Sequence, residues 1–153
     1  MFDEILGLPS HPLIIHAAVV LTPLLAVLAA VYALAARTRP MLAWAVAPLA
    51  VIVPVAVFAA RQSGEALLHG RFSSVDGQLG QRIAEHESFA TPLLLGALAL
   101  GLVSLGLVYV SRADRFPKPV GTALSALTVI LAVVAGYYVL RAGHSGAVAV
   151  WGS

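Results

Sequence analysis

Four long apolar stretches set the plan of this chain. Pro12–Ala36, Pro40–Ala60, Ser88–Ser111 and Pro119–Leu140 contain no Asp, Glu, Lys or Arg. Each is long enough to cross the hydrocarbon core, which takes about 20 helical residues. Uncharged runs of roughly 10–14 residues fit buried soluble helices, but four runs of this length do not. The pattern predicts an all-α integral membrane four-helix bundle, one domain with spans at about 12–36, 40–60, 88–111 and 119–140.

Between the second and third spans the helical pattern continues. Arg61, Glu65 and His69 recur every four residues, and Gly70 is placed to end that helix. After a Phe72–Gly77 turn, Leu79, Ile83, His86, Ala90 and Leu93 form one apolar stripe at helical spacing. Helices 2 and 3 are therefore expected to extend as an outer hairpin. Helix 4 is expected to end at Gly143, just before His144. Pro23, Pro48, Pro54 and Pro92 lie inside the spans, where bilayer helices tolerate them, and they predict kinks. Ala97 and Gly101 give helix 3 a small-residue face for close packing, although Gly and Ala are common in all such helices.

The two halves of the chain read as an internal repeat. His16 leads to Thr22-Pro23-Leu24-Leu25, and His86 leads to Thr91-Pro92-Leu93-Leu94. The second helices end in Arg61-Gln-Ser-Gly64 and Arg141-Ala-Gly-His144. Such a repeat would be parallel, about an axis along the membrane normal. Chance similarity in a leucine-rich sequence is the alternative.

Composition agrees with the bilayer reading. The 153 residues are 60% hydrophobic and 10% charged, against about 25% charged in soluble domains. A net charge of +2 with no basic run gives nucleic acid no footing. The absence of cysteine removes disulfides, thiolate metal sites, iron–sulfur clusters and covalently attached haem. Asp3 and Glu4 stand where a signal peptide would be basic, so the first helix is expected to be retained.

Orientation follows from Lys and Arg. Arg37 and Arg39 join helices 1 and 2, and Arg112, Arg115 and Lys118 join helices 3 and 4. Short basic connections stay in the cytoplasm, which puts both termini outside a cytoplasmic membrane. Tyr32, Trp44 and Tyr109 would form the inner aromatic belt. Phe58, Phe89, Tyr137, Tyr138 and Trp151 would form the outer one.

On this topology His11, His16, His69, His86 and His144 all fall at the outer end. Imidazole is the commonest ligand for zinc, copper and iron, and facing helices can hold haem b between two histidines. Candidate cofactor-binding residues are His16, His86, Arg61 and Arg141, the arginines pairing with haem propionates. Candidate ligands of a single transition-metal ion are His16, His86, His144 and His11. Glu85 or Glu87 could complete a two-histidine, one-carboxylate set. The other reading is that these histidines cap helix ends at the interface, or titrate there as a sensor near their ordinary pKa of about 6.5.

No GxSxG, HExxH or phosphate loop occurs. No carboxylate or lysine lies at mid-membrane, as ion-coupled transport usually needs.

The entrance His11-Pro-Leu-Ile-Ile-His16, the later Pro23, His86 at the start of helix 3, and Gly143-His-Ser-Gly-Ala with Trp151 resemble a bacterial family. It is catalogued as domain of unknown function 2231, a four-helix membrane domain, and the resemblance spans nearly the whole chain. It implies a multi-pass protein of the bacterial cytoplasmic membrane whose recurrent histidines hold haem or metal, by analogy only. The partners expected are the lipid bilayer and an electron-transfer or other membrane protein. The competing function is a non-catalytic accessory or scaffold subunit of a larger membrane complex.

Overall fold

The computed structural model describes residues 4–5, 8–71, 75, 77–113 and 115–152. A two-residue antiparallel ladder, β1 (Glu4–Ile5) with β2 (Leu8–Pro9), precedes the first helix. Helices follow as α1 (Ser10–Leu34), α2 (Arg39–Arg71), α3 (Gly77–Ser88), α4 (Ala90–Arg112) and α5 (Lys118–Trp151). A short 3-10 turn, Ala36–Thr38, joins α1 to α2. Four helical stretches are long and apolar enough to cross a membrane, with α3 and α4 forming one of them. The chain is a multi-pass, all-α four-helix bundle.

The helices form a ring. α1 packs against α2 and α5, α4 packs against α5 and α2, and α1 and α4 meet only across the diagonal. Inside are small side chains: Ala18, Ala29, Ala43, Ala97 and Ala135 are each at most 3% exposed. Outside are large ones, Val20, Leu24, Leu34, Leu102 and Leu140 among them. Helices that share a lipid solvent gain little by hiding leucine from it, so close backbone approach decides what goes inside. Gly101 carries this furthest. A Cβ there would run into the Ala50 carbonyl oxygen of α2, so the small-residue face expected on helix 3 is used.

The two halves superpose in burial pattern. Along α1 the buried residues are Ala18, Thr22, Leu25, Ala26, Ala29, Tyr32 and Ala33. At the same spacings along α4 lie Leu93, Ala97, Leu100, Gly101, Ser104, Leu107 and Val108, all buried. Val46, Ala50, Val53, Val57, Ala60 and Ser63 of α2 correspond likewise to Thr128, Ala132, Ala135, Val139, Ala142 and Ser145 of α5. The repeat therefore exists, with His11 rather than His16 as the counterpart of His86. Its second-helix register pairs Ser63 with Ser145, whereas the residue strings alone pair Arg61 with Arg141. That pairing follows a Thr-Pro-Leu-Leu string, while packing equates positions by the neighbour they face.

Other boundaries differ from expectation. α2 does end just past Gly70, at Arg71, but α5 runs through Gly143 and His144 to Trp151. Glycine is tolerated inside a helix whose neighbours hold it, and α3 packs along α5. The third crossing is interrupted at Phe89, three residues before Pro92. Proline has no N–H to offer the carbonyl of Ser88, and its ring crowds that carbonyl. α1 and α2 continue through Pro23, Pro48 and Pro54.

At the opposite end, Tyr32 is 1% exposed and donates to Ser111 Oγ at 2.6 Å. It belongs to the core and not to an aromatic belt. Trp44 and Tyr109 at that end, and Phe58, Tyr137 and Trp151 at the other, are exposed as expected.

Candidate functional site

His11 on the first turn of α1 and His86 on α3 approach each other across the diagonal. Their ring centroids are 6.3 Å apart and their planes lie at 73°. Both are half-buried. Each is held by the second helix of its own half through the same three groups.

In the first half, His11 Nδ1 lies 3.0 Å from the Ala60 carbonyl and 3.0 Å from Ser63 Oγ. Ser63 Oγ donates its own proton to that carbonyl at 2.9 Å. In the second half, His86 Nδ1 lies 3.0 Å from the Ala142 carbonyl and 3.2 Å from Ser145 Oγ. Ser145 Oγ donates to the Ala142 carbonyl at 3.2 Å. A carbonyl can only accept, so Nδ1 must carry the proton in both rings. Nε2 is then the lone-pair nitrogen of each neutral imidazole, and both histidines are preset as acceptors or metal ligands.

Glycine makes room for each ring. A Cβ at Gly64 would lie 3.1 Å from His11 Cε1, and one at Gly146 would lie 3.0 Å from His86 Cε1. The local motif is Ala60-Arg-Gln-Ser63-Gly64 in α2 and Ala142-Gly-His-Ser145-Gly146 in α5. Alanine, serine and glycine at these spacings share one helix face, which supplies the carbonyl, the hydroxyl and the gap.

His11 precedes the Ile14–Leu34 membrane span. Burial holds its pKa below the usual histidine range, the neighbouring His86 adds to this, and the Ala60 carbonyl opposes it.

The remaining candidates fall elsewhere. His16 is exposed, about 140° around the helix from His11 at 3.6 residues per turn. His144 and His69 are exposed as well. Arg61 pairs with Glu65 at 2.7 Å. Arg141 lies 3.6 Å from Glu85 and 5.0 Å over the Phe89 ring. Both arginines are thus paired with carboxylates of the chain. Among the described residues, no three His, Asp or Glu side chains stand together as a metal cluster, so Glu85 and Glu87 do not complete a triad with two histidines.

The structure therefore brings His86 together with His11. Ser63 and Gly64 stand in the string Arg61-Gln-Ser-Gly64, and Ser145 and Gly146 in Gly143-His-Ser-Gly-Ala, but the strings alone do not tie them to the histidines. The signal was present in the repeated Ala-x-x-Ser-Gly, which a leucine-biased alignment passed over.

No family model, no curated protein and no solved structure matches this chain.

Proposed function

We propose that this is a redox-active, metal-binding protein of a bacterial cytoplasmic membrane, holding one transition-metal ion between His11 and His86 at its outer end. The observation that carries the reading is the meeting of two equivalent histidines whose Nδ1 protons are both committed to carbonyls. Fixing the tautomer through the distal nitrogen is how ligating histidines are usually held.

Distance supports it. An imidazole nitrogen lies about 1.1 Å from its ring centre, so facing Nε2 atoms would stand about 4 Å apart, twice a typical metal–nitrogen bond of about 2.0 Å. Two neutral nitrogens suit an ion that asks little else of the protein. Cuprous copper accepts two ligands in line, and haem iron brings four of its own. Zinc sites usually take three or four protein ligands.

The outward orientation rests on Arg37, Arg39, Arg112, Arg115 and Lys118, which gather at the end opposite the histidines. The bacterial membrane rests on the resemblance to domain of unknown function 2231. Thr38→Cys should resist a membrane-impermeant thiol reagent in intact cells, and Gly70→Cys should react. The reverse pattern would invert the orientation.

The site is tested by elemental analysis and an oxidised-minus-reduced spectrum of untagged protein in detergent. About one copper per chain is expected, lost in both His11→Ala and His86→Ala. A Soret band would assign the pair to haem iron. A metal-free chain that also fails to take up cuprous ion, and that leaves native membranes with a stoichiometric partner, would favour the accessory-subunit reading.

A further inference from the structure

At the basic end, opposite the histidines, a cleft of about 490 Å³ opens between the end of α1, α4 and the start of α5. Its polar lining is Arg39, Lys118, Thr122 and Ser125, and Ala33 and Val110 are part of its apolar wall. We propose that it binds the phosphate headgroup of one anionic phospholipid.

Arg39 is the centre of the argument. Its Nε donates to the Tyr32 carbonyl at 3.1 Å, and its Nη2 donates to the Ala33 carbonyl at 3.2 Å and to Ser125 Oγ at 3.3 Å. Its guanidinium also lies 5.7 Å over the Tyr32 ring. These bonds fix the plane of the group while neutral partners leave its charge unbalanced. Guanidinium has about five N–H donors, and the pair on Nη1 makes no bond among the described residues. The described carboxylate ion pairs, Arg61–Glu65 and Arg141–Glu85, are at the far end. Asp114, the acidic residue of the α4–α5 connection, lies outside the described residues. Lys118 brings a second cation to the same cleft, and Gly121 leaves its wall open, with no atom within 4 Å of a Cβ built there. A rigid guanidinium with two remaining donors, beside a mobile ammonium, suits a phosphate better than a monovalent halide.

The surroundings favour a lipid over a free phosphate. The cleft lies where α1 ends and α5 begins, at one edge of the membrane-spanning stretches. Exposed Leu34 and Val120 stand at the same level on these two helices, apolar surface that a lipid seated there can reach. Basic pockets between helices at this level are general sites for anionic headgroups.

Native mass spectrometry of the full chain in detergent tests this with phosphatidylglycerol and phosphatidylcholine offered at equal concentration. One retained phosphatidylglycerol is expected, with a preference of several fold. Lys118→Gln should weaken it roughly fivefold, the effect of one surface cation, and Arg39→Gln at least as much. Arg39 also ties down the end of α1, so Lys118→Gln, which leaves those bonds intact, is the deciding variant. Equal retention of the two lipids, or an unchanged preference in Lys118→Gln, would overturn the proposal. Displacement of the lipid by millimolar inorganic phosphate would assign the cleft to a free anion and overturn the lipid assignment too.

Discussion

His11 and His86 are equivalent residues of two equivalent half-bundles, and they meet with ring centroids 6.3 Å apart. Each gives its Nδ1 proton to the second helix of its own half, at Ala60 or Ala142. The two halves thus meet through a pair of rings set at 73° to each other. Two neutral acceptors placed together are the chemistry on which the proposed metal site rests.

The serines should behave as twins. Ser63→Ala and Ser145→Ala each remove the hydroxyl that lies beside Nδ1 and keep the carbonyl as acceptor. Each is expected to cost about 0.5–1.5 kcal/mol, the net worth of one hydrogen bond. Unfolding in mixed detergent would read the two costs. A difference above about 2 kcal/mol between them would deny the equivalence of the halves.

Glycine at the ring seats should matter where glycine elsewhere in the same helix does not. Gly143 has open space around a built Cβ, whereas a Cβ at Gly146 would press on His86. Gly143→Ala is expected to gain about 0.5–1 kcal/mol of helix stability. Gly146→Ala should forfeit that gain, or lose about 1–3 kcal/mol through overpacking. The histidine ring resonances of the Gly146→Ala protein should also shift, and those of the Gly143→Ala protein should not.

The membrane plan was legible because it depends on the length of uncharged runs, which no packing detail can hide. The end of α2 just past Gly70 and the helical run of α3 were legible for the same reason, as they follow local periodicity. The partner of α3 was not, because the choice between α2 and α5 depends on which faces carry the small residues. The pairing of His86 was misread for a related cause. His11 and His16 are both on α1 near the entrance, and only the helical angle separates inward from outward. That angle can be fixed by the buried positions Ala18, Thr22 and Leu25 once they are known. Tyr32 was assigned to the interface by residue type, yet Ser111 on α4 gives its hydroxyl a partner in the core.

Close approach of α2 and α4 rests on Gly101. A Cβ there meets backbone, the Ala50 carbonyl oxygen, and then Pro54 Cγ at 3.2 Å. Backbone cannot rotate away as a side chain can. Gly101→Ala should therefore cost about 1–3 kcal/mol. Gly106→Ala, one and a half turns along the same helix with nothing near its Cβ, is the control and should be neutral or stabilising. Equal behaviour of the two variants in a thermal detergent assay would remove the close α2–α4 contact from the account.

Acid should weaken the metal-free protein through His11. Its folded pKa is lowered, first by burial and then by His86, against the raising effect of the Ala60 carbonyl. An unfolded histidine titrates near 6.5, so below that pH the unfolded state binds a proton that the folded state resists. The stability His11 contributes is therefore fully present above the unfolded pKa and declines as the pH falls through the folded one. Unfolding with chelator present should show this loss setting in as the pH falls below about 6.5. His11→Asn keeps a hydrogen-bonding side chain but cannot titrate, so its stability should vary less over that range. A bound metal ion should steepen the dependence, since protons then compete with it for the Nε2 lone pair. A His11→Asn protein with the full pH dependence of the parent would show that the titrating group lies elsewhere.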